Sequence, residues 1–456
     1  MNDIKSNKPG ILAINMLQEA GFEAGFVGGC VRDYIIGLQS KDFDITTSAM
    51  PSEILEVFKN YKTLDIGIKH GTVVVIINNE QIEITTFRID GSYSDGRHPD
   101  EVVFTRNLIS DLSRRDFTQN AIFYNNEKGL IDPFNGISDI RKEIIRTVGE
   151  PLKRFQEDGL RIMRCIRFAS TLGFSIEKET KSAILNNISL LNNISIERIT
   201  SEFIKLIDGK NSPEILQEYK DVFSFFIPEL KDTFNFEQHN PYHKYNVFTH
   251  TTESIKNSPN LKIKLTMLFH DIGKPKCFFL DENNIGHFYG HANISYSIAK
   301  EVFKRLKIST SKDLSKKDIE DILLLIKFHD VPVNPTTKSI KKMLYKLKGD
   351  TNLFLDLLEV KKADTLAKSQ IKREESLKTI KLCRNIFNDM LKENLCLCIK
   401  DLKLTGNDLK DLGYEGKDIG ILLNLLLKNV VCEKLENNKS DLINFCKSYK
   451  KSTSYS

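Results

Sequence analysis

The chain has 456 residues, 40% hydrophobic and 28% charged, the profile of a soluble globular protein of two or three domains rather than a disordered or fibrous one. Sixty-six Lys and Arg against 61 Asp and Glu leave a formal charge of +5, which permits a nucleic-acid partner without requiring one. No run approaches the roughly 18–20 apolar residues of a membrane span. The N-terminal stretch MNDIKSNKPGILAINMLQEAGFEAG lacks the apolar core of a secretion signal, and the eight cysteines lack disulfide or zinc-finger spacing. The expectation is a cytoplasmic protein with reduced thiols.

Short β-branched runs occur at 24–31, 42–47, 72–77 and 81–87, with Asn78-Asn79-Glu80 as a hairpin turn between the last two. Helical patterns lie between them at about 10–20 and 51–59, the second opened by Pro51 after Ser48. This alternation predicts a mixed sheet-and-helix unit over residues 1–150. From Pro151 strand signals almost vanish. Apolar residues at 3.6-residue spacing predict helices at 155–171, 178–190, 196–208, 296–307, 316–328, 354–368 and 374–392. The polar stretch 233–245 reads as a connection between helical blocks, and the terminal KSYKKSTSYS as a frayed tail.

Chemistry-bearing residues open in the first unit. Gly28 and Gly29 sit where a strand gives way to a helix carrying Arg32 and Asp33, a place where backbone amides can approach a phosphate. Asp42 and Asp44 bracket Phe43 in a strand pattern, so both carboxylates point to one side, a costly arrangement that a divalent cation relieves. Glu83 follows in the hairpin as a third carboxylate. Next comes Arg114-Arg115-Asp116-Phe117-Thr118-Gln119-Asn120, where guanidinium groups can fork onto phosphates while Asp116 and Asn120 reach ribose hydroxyls. Beyond Pro151, Asp158, Arg161, Arg164 and Arg167 recur every third residue, with Leu160, Met163 and Ile166 on the buried face. A carboxylate accepts from an exocyclic amine and a guanidinium donates to a ring acceptor, so such a pair can favour cytosine and adenine over uracil and guanine.

The strings FVGGCVRD, KDFDITT, IEITTFR, YSDGRHPDEVVF, DLSRRDFTQNAI, IDPFNGISDIR, RFQEDGLRIMRCIRFAS and ISIERITSEF, in this order, resemble the class II tRNA nucleotidyltransferases (CCA-adding enzymes) and the related bacterial poly(A) polymerases. LTGNDLKDLG at 404–413 extends the likeness. The resemblance implies an α+β protein: a polymerase-β-type nucleotidyltransferase head (1–150), a helical neck for base recognition and RNA binding (151–235), an HD domain (236–370) and a helical, tRNA-binding tail (371–456). It implies Mg²⁺ on Asp42 and Asp44 with Glu83 as the third acid. Gly28, Gly29, Arg32, Arg114, Arg115, Asp116 and Asn120 would hold phosphates and ribose. Asp158 and Arg161 match the base-reading pair, with Arg164 and Arg167 supporting the nucleotide. The segment Asp90–Arg97 matches a flexible loop used for adenine addition.

A second constellation lies in the helical half. His250, His270-Asp271 and Asp364 form an H…HD…D pattern suited to a divalent transition metal, and His291 and His329 fit the further ligands of a two-metal site. The strings YHKYNVFTHT, LTMLFHDIGKP and KKADTLA resemble the HD phosphohydrolase superfamily, which implies a phosphoester as a second substrate. Lys274, one turn past Asp271, is placed to face a phosphate, whereas His239 and His243 read as structural. The expected function is addition of C, C and A to the tRNA 3′ end from CTP and ATP, with no membrane and no obligate protein partner. The alternatives are a poly(A) polymerase or A-adding enzyme, and an HD phosphohydrolase whose head only binds nucleotide.

Overall fold

The computed structural model describes residues 4–40, 42–64, 67–91, 102–392, 396 and 399–453. The chain divides into two compact units, Met1–Phe226 and Ile227–Ser456, each described separately below.

In the first unit, nine strands follow in chain order: β1 (Ala24–Val27), β2 (Asp44–Thr47), β3 (Lys62–Leu64), β4 (Thr72–Ile77), β5 (Glu80–Thr86), β6 (Arg88–Asp90), β7 (Val102–Phe104), β8 (Phe123–Asn125) and β9 (Gly129–Ile131). Seven of them make one mixed sheet of order β3-β4-β5-β2-β1-β8-β9, while β6 and β7 pair separately. The expected hairpin is β4–β5. Asn78 and Asn79 turn it with φ of 52° and 66°, the backbone that a two-residue hairpin needs and Asn tolerates. The β2–β5 pair is parallel and sets Asp44 opposite Glu83. Val27, Phe87, Leu108, Leu112, Ala121, Phe123 and Val148 close a core under the sheet.

Several expectations need adjustment. The first strand ends at Val27, because helix Gly29–Ile36 begins at the second glycine. Strand β2 begins at Asp44, so Asp42 and Phe43 precede it rather than belong to it. Pro51 does open helix Pro51–Val57, but the residue before it is Met50, and the Ser48 hydroxyl instead accepts from the Glu23 amide at 2.9 Å. The expected helix over 155–171 is two helices, Pro151–Glu157 and Leu160–Leu172. They part at Asp158, which has extended backbone and whose carboxylate accepts from the Leu160 amide at 3.0 Å. A local side-chain acceptor competing with the helix explains the break. Leu160, Met163 and Ile166 are buried as expected.

The second unit is mostly helical. Helices Val247–Lys256, Leu261–His270, His291–Arg305, Lys316–Phe328 and Thr351–Ala367 pack together around one polar centre. The sequence pattern did not reveal the hairpin Phe279–Leu280 with Gly286–His287, whose two-residue strands are too short to show alternation. A separate small core, centred on Leu404, Leu409, Leu422, Leu426, Leu442 and Cys446, lies toward the end of the chain. There the backbone is helical from Lys439 through Thr453, where a frayed tail was expected; residues 454–456 lie outside the described residues. The loop assigned to Asp90–Arg97 lies outside them from residue 92 onward. Among the described residues no helix is long and apolar enough to cross a membrane.

The sheet predicts a packing limit at Gly25. A Cβ there would stand 2.4 Å from the Phe123 ring and 2.6 Å from the Tyr124 carbonyl oxygen. Gly25→Ala should therefore cost about 1–3 kcal/mol, read as a lower urea midpoint with an unchanged slope.

Candidate active sites

The first site gathers at the ends of β1 and β2. Gly28 adopts a φ of 81°, which side chains other than glycine's rarely accept, and lets Arg115 and Asp44 approach. A Cβ on Gly28 would lie 3.4 Å from Arg115 Nη1 and 3.7 Å from Asp44 Oδ2. Asp42, Asp44 and Glu83 share one polar cavity of about 810 Å³. An adjoining cavity of about 460 Å³ is lined by Gly28, Gly29, Arg32, Asp42, Asp44, Arg115, Asp116, Asn120, Arg164 and Phe168. Burial raises the Asp44 carboxyl above the ordinary range, opposed by Arg115 and reinforced by Asp42. Glu83 is raised by burial and by the charges of Asp44 and Asp42. Carboxylates that raise one another in this way form a hard-oxygen donor set, and a divalent cation removes their repulsion.

The cationic wall is held by a continuous network. Arg32 donates to Asp33 Oδ1 at 2.9 and 2.7 Å and to Asn120 Oδ1 at 2.9 Å. Asn120 in turn donates to Asp116 Oδ1 at 3.0 Å, and Arg164 forks onto Asp116 Oδ2 at 2.8 and 2.6 Å. Against burial, which acts in the opposite direction, Arg164 and the Asn120 amide hold the Asp116 carboxyl well below the usual carboxylate range. Phe168 lies beneath three guanidinium groups, with Arg167 at 3.5 Å, Arg32 at 5.0 Å and Arg164 at 5.5 Å from its ring centre.

Other expected residues stand elsewhere. Arg114 is paired with Asp111 at 2.8 Å and does not line the cavity, whereas Arg115 does. Asp158 is paired with Arg198 at 3.0 Å, and Arg161 with Glu157 at 2.6 Å and the Arg114 carbonyl at 3.1 Å; neither lines the cavity. Arg167 is paired with Glu202 at 2.8 Å. Asp111, Glu202 and Phe168 went unnoticed as site residues, since the counter-ions lie 3 to 35 residues from their arginines. A buried acid at Asp111 has no sequence signal beyond the arginines that follow it.

The second site holds two ligand clusters: His250, His270 and Asp364, and Asp271, His291 and His329. His250 Nε2 stands 3.1 Å from Asp364 and 3.3 Å from His270 Nε2, while His291 Nε2 and His329 Nε2 are 3.1 Å apart. Asp271 bridges them, its oxygens 3.1 Å from His270 and 3.3 Å from His291. Three of the imidazoles have Nδ1 on backbone carbonyls, at Met267 (2.6 Å), Phe288 (2.8 Å) and Ile326 (2.7 Å). A carbonyl can only accept, so Nδ1 carries the proton and Nε2 presents a lone pair inward. Lone pairs this close suit a shared cation. Against burial, His270 and Lys274 hold Asp271 well below the carboxylate range.

Lys274 is buried on Asp271 at 2.6 Å and Gln238 at 2.8 Å, so it anchors a ligand even as it lines the adjacent cavity. His243 reaches the same cavity, its ring 5.5 Å from that of His250. Burial, with Lys274 and His250 beside it, pushes it down to about 2, so the ring is neutral.

Comparison with known proteins gives the class. The poly A polymerase head domain matches residues 24–146, the probable RNA and SrmB-binding site of polymerase A matches 173–233, and the HD domain matches 246–369. The chain is therefore a nucleotidyltransferase head joined to helical RNA-binding and HD stretches, domains that imply divalent-metal dependence. Its likeness is thus to poly A polymerase heads with their RNA-binding stretch, followed by an HD domain.

A CCA-adding enzyme of Geobacillus sp. (strain WCH70) is 49% identical over 223 residues, 49% of this chain and 55% of the relative. One from Geobacillus stearothermophilus is 50% identical over 196 residues, 43% of this chain and 48% of the relative. The chain thus spans about half the length of the curated relatives it matches. The solved Bacillus stearothermophilus CCA-adding enzyme in complex with CTP covers 98% of both chains at 27% identity, with a TM-score of 0.70.

The Asp116 network makes stability pH-dependent. Because the folded carboxyl titrates below its unfolded range, its contribution is complete above about pH 4 and is lost as the pH falls further. Asp116→Asn should lower unfolding free energy by about 1–2 kcal/mol at pH 7 and flatten the acid limb of the stability curve, measured by urea unfolding from pH 3 to 7.

Proposed function

We propose that the protein is a CCA-adding tRNA nucleotidyltransferase, acting on tRNA with CTP and ATP in the cytoplasm. The observation that carries this reading is the joining of Asp42, Asp44, Arg115, Asp116 and Arg164 around one polar cavity beside Glu83. The free thiols of the described cysteines suit a reducing compartment.

Asp42 and Asp44 would hold Mg²⁺, with Glu83 beside them; when bound, the metal supplies activation of the attacking oxygen and neutralisation of developing phosphate charge. The protein's own residues do the positioning. Gly28 and Gly29 leave room for the triphosphate at the start of helix Gly29–Ile36, and Arg32 and Arg115 offer donors to its oxygens. Asp116 and Asn120 face the ribose. The terminal 3′-oxygen of the RNA forms a bond to the α-phosphorus, and the bond from that phosphorus to the bridging oxygen breaks to release pyrophosphate. Asp158 and Arg161 would read the base by exchanging their Arg198 and Glu157 partners for the exocyclic amine and ring nitrogen of C or A. The helical stretches behind the head would grip tRNA through phosphates and shape.

A second activity, phosphoester hydrolysis, is favoured by the two complete ligand clusters around Asp271. Their imidazole-rich donor sets suit a divalent transition metal, whose bound water becomes a nucleophile near neutral pH.

With Mg²⁺ and tRNA lacking its last three nucleotides, CTP alone should add two cytidines, and CTP with ATP should complete CCA. Long adenosine tails, or no use of CTP, would instead identify a poly(A) polymerase or A-adding enzyme. Asp44→Ala should reduce addition at least about a hundredfold while leaving hydrolysis intact. Metal analysis after chelation and reloading should find two ions per chain in the HD domain of the native protein and one in His291→Ala.

A further inference from the structure

One lysine beside the second ligand set has no part in the roles above. Lys361 lies on helix Thr351–Ala367, one turn before the ligand candidate Asp364. Its Nζ reaches across to the backbone that follows helix Lys316–Phe328, where it donates to the carbonyl oxygens of His329 at 2.8 Å and Val331 at 2.7 Å. Among the described residues these are its hydrogen-bond partners, and neither is a carboxylate. Burial pulls the ammonium down to about 8, against the charges of Asp364 and Asp330, so a cation is kept here at a cost.

The end of helix Lys316–Phe328 shows why a side chain is needed there. The last carbonyls of a helix have no partner within it, and His329 is the residue that caps this one. The Ile326 carbonyl accepts from His329 Nδ1 at 2.7 Å, and the Phe328 carbonyl accepts from the Val331 amide at 3.2 Å. The next turn of that kind would take the His329 carbonyl to the amide of residue 332. That residue is Pro332, which has no N–H. Asn334, which could serve Val331 in the same way, donates instead to the Ser339 hydroxyl at 2.9 Å. Lys361 fills both gaps, and a cation suits the negative end of a helix. The other histidine at a helix end is served by its own chain. Beyond His270, the Ile272 amide donates to the Phe269 carbonyl at 3.4 Å and the Lys274 amide to the Asp271 carbonyl at 3.0 Å. His329 therefore depends on a distant residue for what His270 obtains locally.

We propose that Lys361 is a positioning residue for the second ligand cluster: by holding the carbonyl that Pro332 leaves without a donor, it aims His329 Nε2 at Asp271 and His291 and sets that cluster's affinity for a divalent cation. His329 Nε2 stands 3.6 Å from Asp271 Oδ1 and 3.1 Å from His291 Nε2, so a backbone shift at this helix end displaces one corner of the donor set directly. The proposal rests on the two-metal reading of the HD domain given above. It makes the clusters unequal. His250, His270 and Asp364 keep their cation without Lys361, whereas Asp271, His291 and His329 do not.

The test is a Mn²⁺ titration of the full-length, chelator-treated protein, with free Mn²⁺ counted by electron paramagnetic resonance. An Asp42→Ala, Asp44→Ala background removes the head's own cation from the count. With Lys361 in place two ions should bind. Lys361→Met, which keeps the length of the apolar stem, should weaken the second ion about tenfold to a hundredfold and leave the first at its native affinity. Lys361→Arg, which still offers donors to both carbonyls, should bind both. The retained first ion shows that the domain has folded. Unchanged affinity for the second ion in Lys361→Met, or equal weakening of both, would overturn the positioning role. Fewer than two ions in the protein that keeps Lys361 would overturn the two-metal reading, and the proposal with it.

Discussion

The head depends on a single buried carboxylate. Asp116 takes Asn120 on one oxygen and Arg164 on the other, and through Asn120 it fixes Arg32. Those three contacts tie the helix that follows the glycine turn, the RRDFTQN segment and helix Leu160–Leu172 into one wall. A buried ion pair of this kind adds little net stability, because desolvation offsets most of the attraction. Its effect is geometric: four polar side chains keep one arrangement, since removing any partner strands another in a nearly dry place. Phe168 works in the same direction, because a ring beneath three guanidinium groups lets like charges crowd without water between them.

The two sites solve the problem of gathered charge in opposite ways. In the head, acids are brought together and burial and their mutual charge raise the carboxyls, a repulsion that a divalent cation relieves. In the HD domain, imidazoles share the centre with Asp271 and Asp364, and against burial the carboxyls are held low by His and Lys neighbours. The first donor set is all oxygen, which favours a hard ion; the second is mainly nitrogen, which favours a softer one.

Much of this was legible in the sequence because local spacing carries it. The β4–β5 hairpin follows from alternation and an Asn-Asn turn, and that hairpin sets Glu83 beside Asp44. The HD ligands were legible too, because the H…HD…D spacing is itself a motif, and each ligand lies on or at the end of a helix. What escaped depends on contacts between distant segments. Nothing near Arg167 announces Glu202, and nothing near Asp158 announces Arg198. Asp158 also shows how a side chain overrides periodicity: the apolar stripe continues past it, yet its carboxylate captures the Leu160 amide and starts a new helix. The hairpin at 279–287 failed for the opposite reason, its strands being too short to leave a pattern.

The partners of Asp158 and Arg161 bear on how a protein can select a base without a template. Each side chain is already satisfied, Asp158 by Arg198 and Arg161 by Glu157 and two backbone carbonyls. A nucleotide that uses this pair must therefore match existing hydrogen bonds in number and direction, and one that offers fewer leaves a buried charge unpaired. That penalty is larger than the gain from any single added contact, so discrimination arises chiefly from what the wrong base fails to replace. Under the proposed assignment, the ion pairs seen around helix Leu160–Leu172 are the reference state against which C and A are weighed. The same logic separates two arginines one turn apart in that helix: Arg164 is committed to Asp116 and to the shape of the wall, whereas Arg161 has partners from which a base edge can take over.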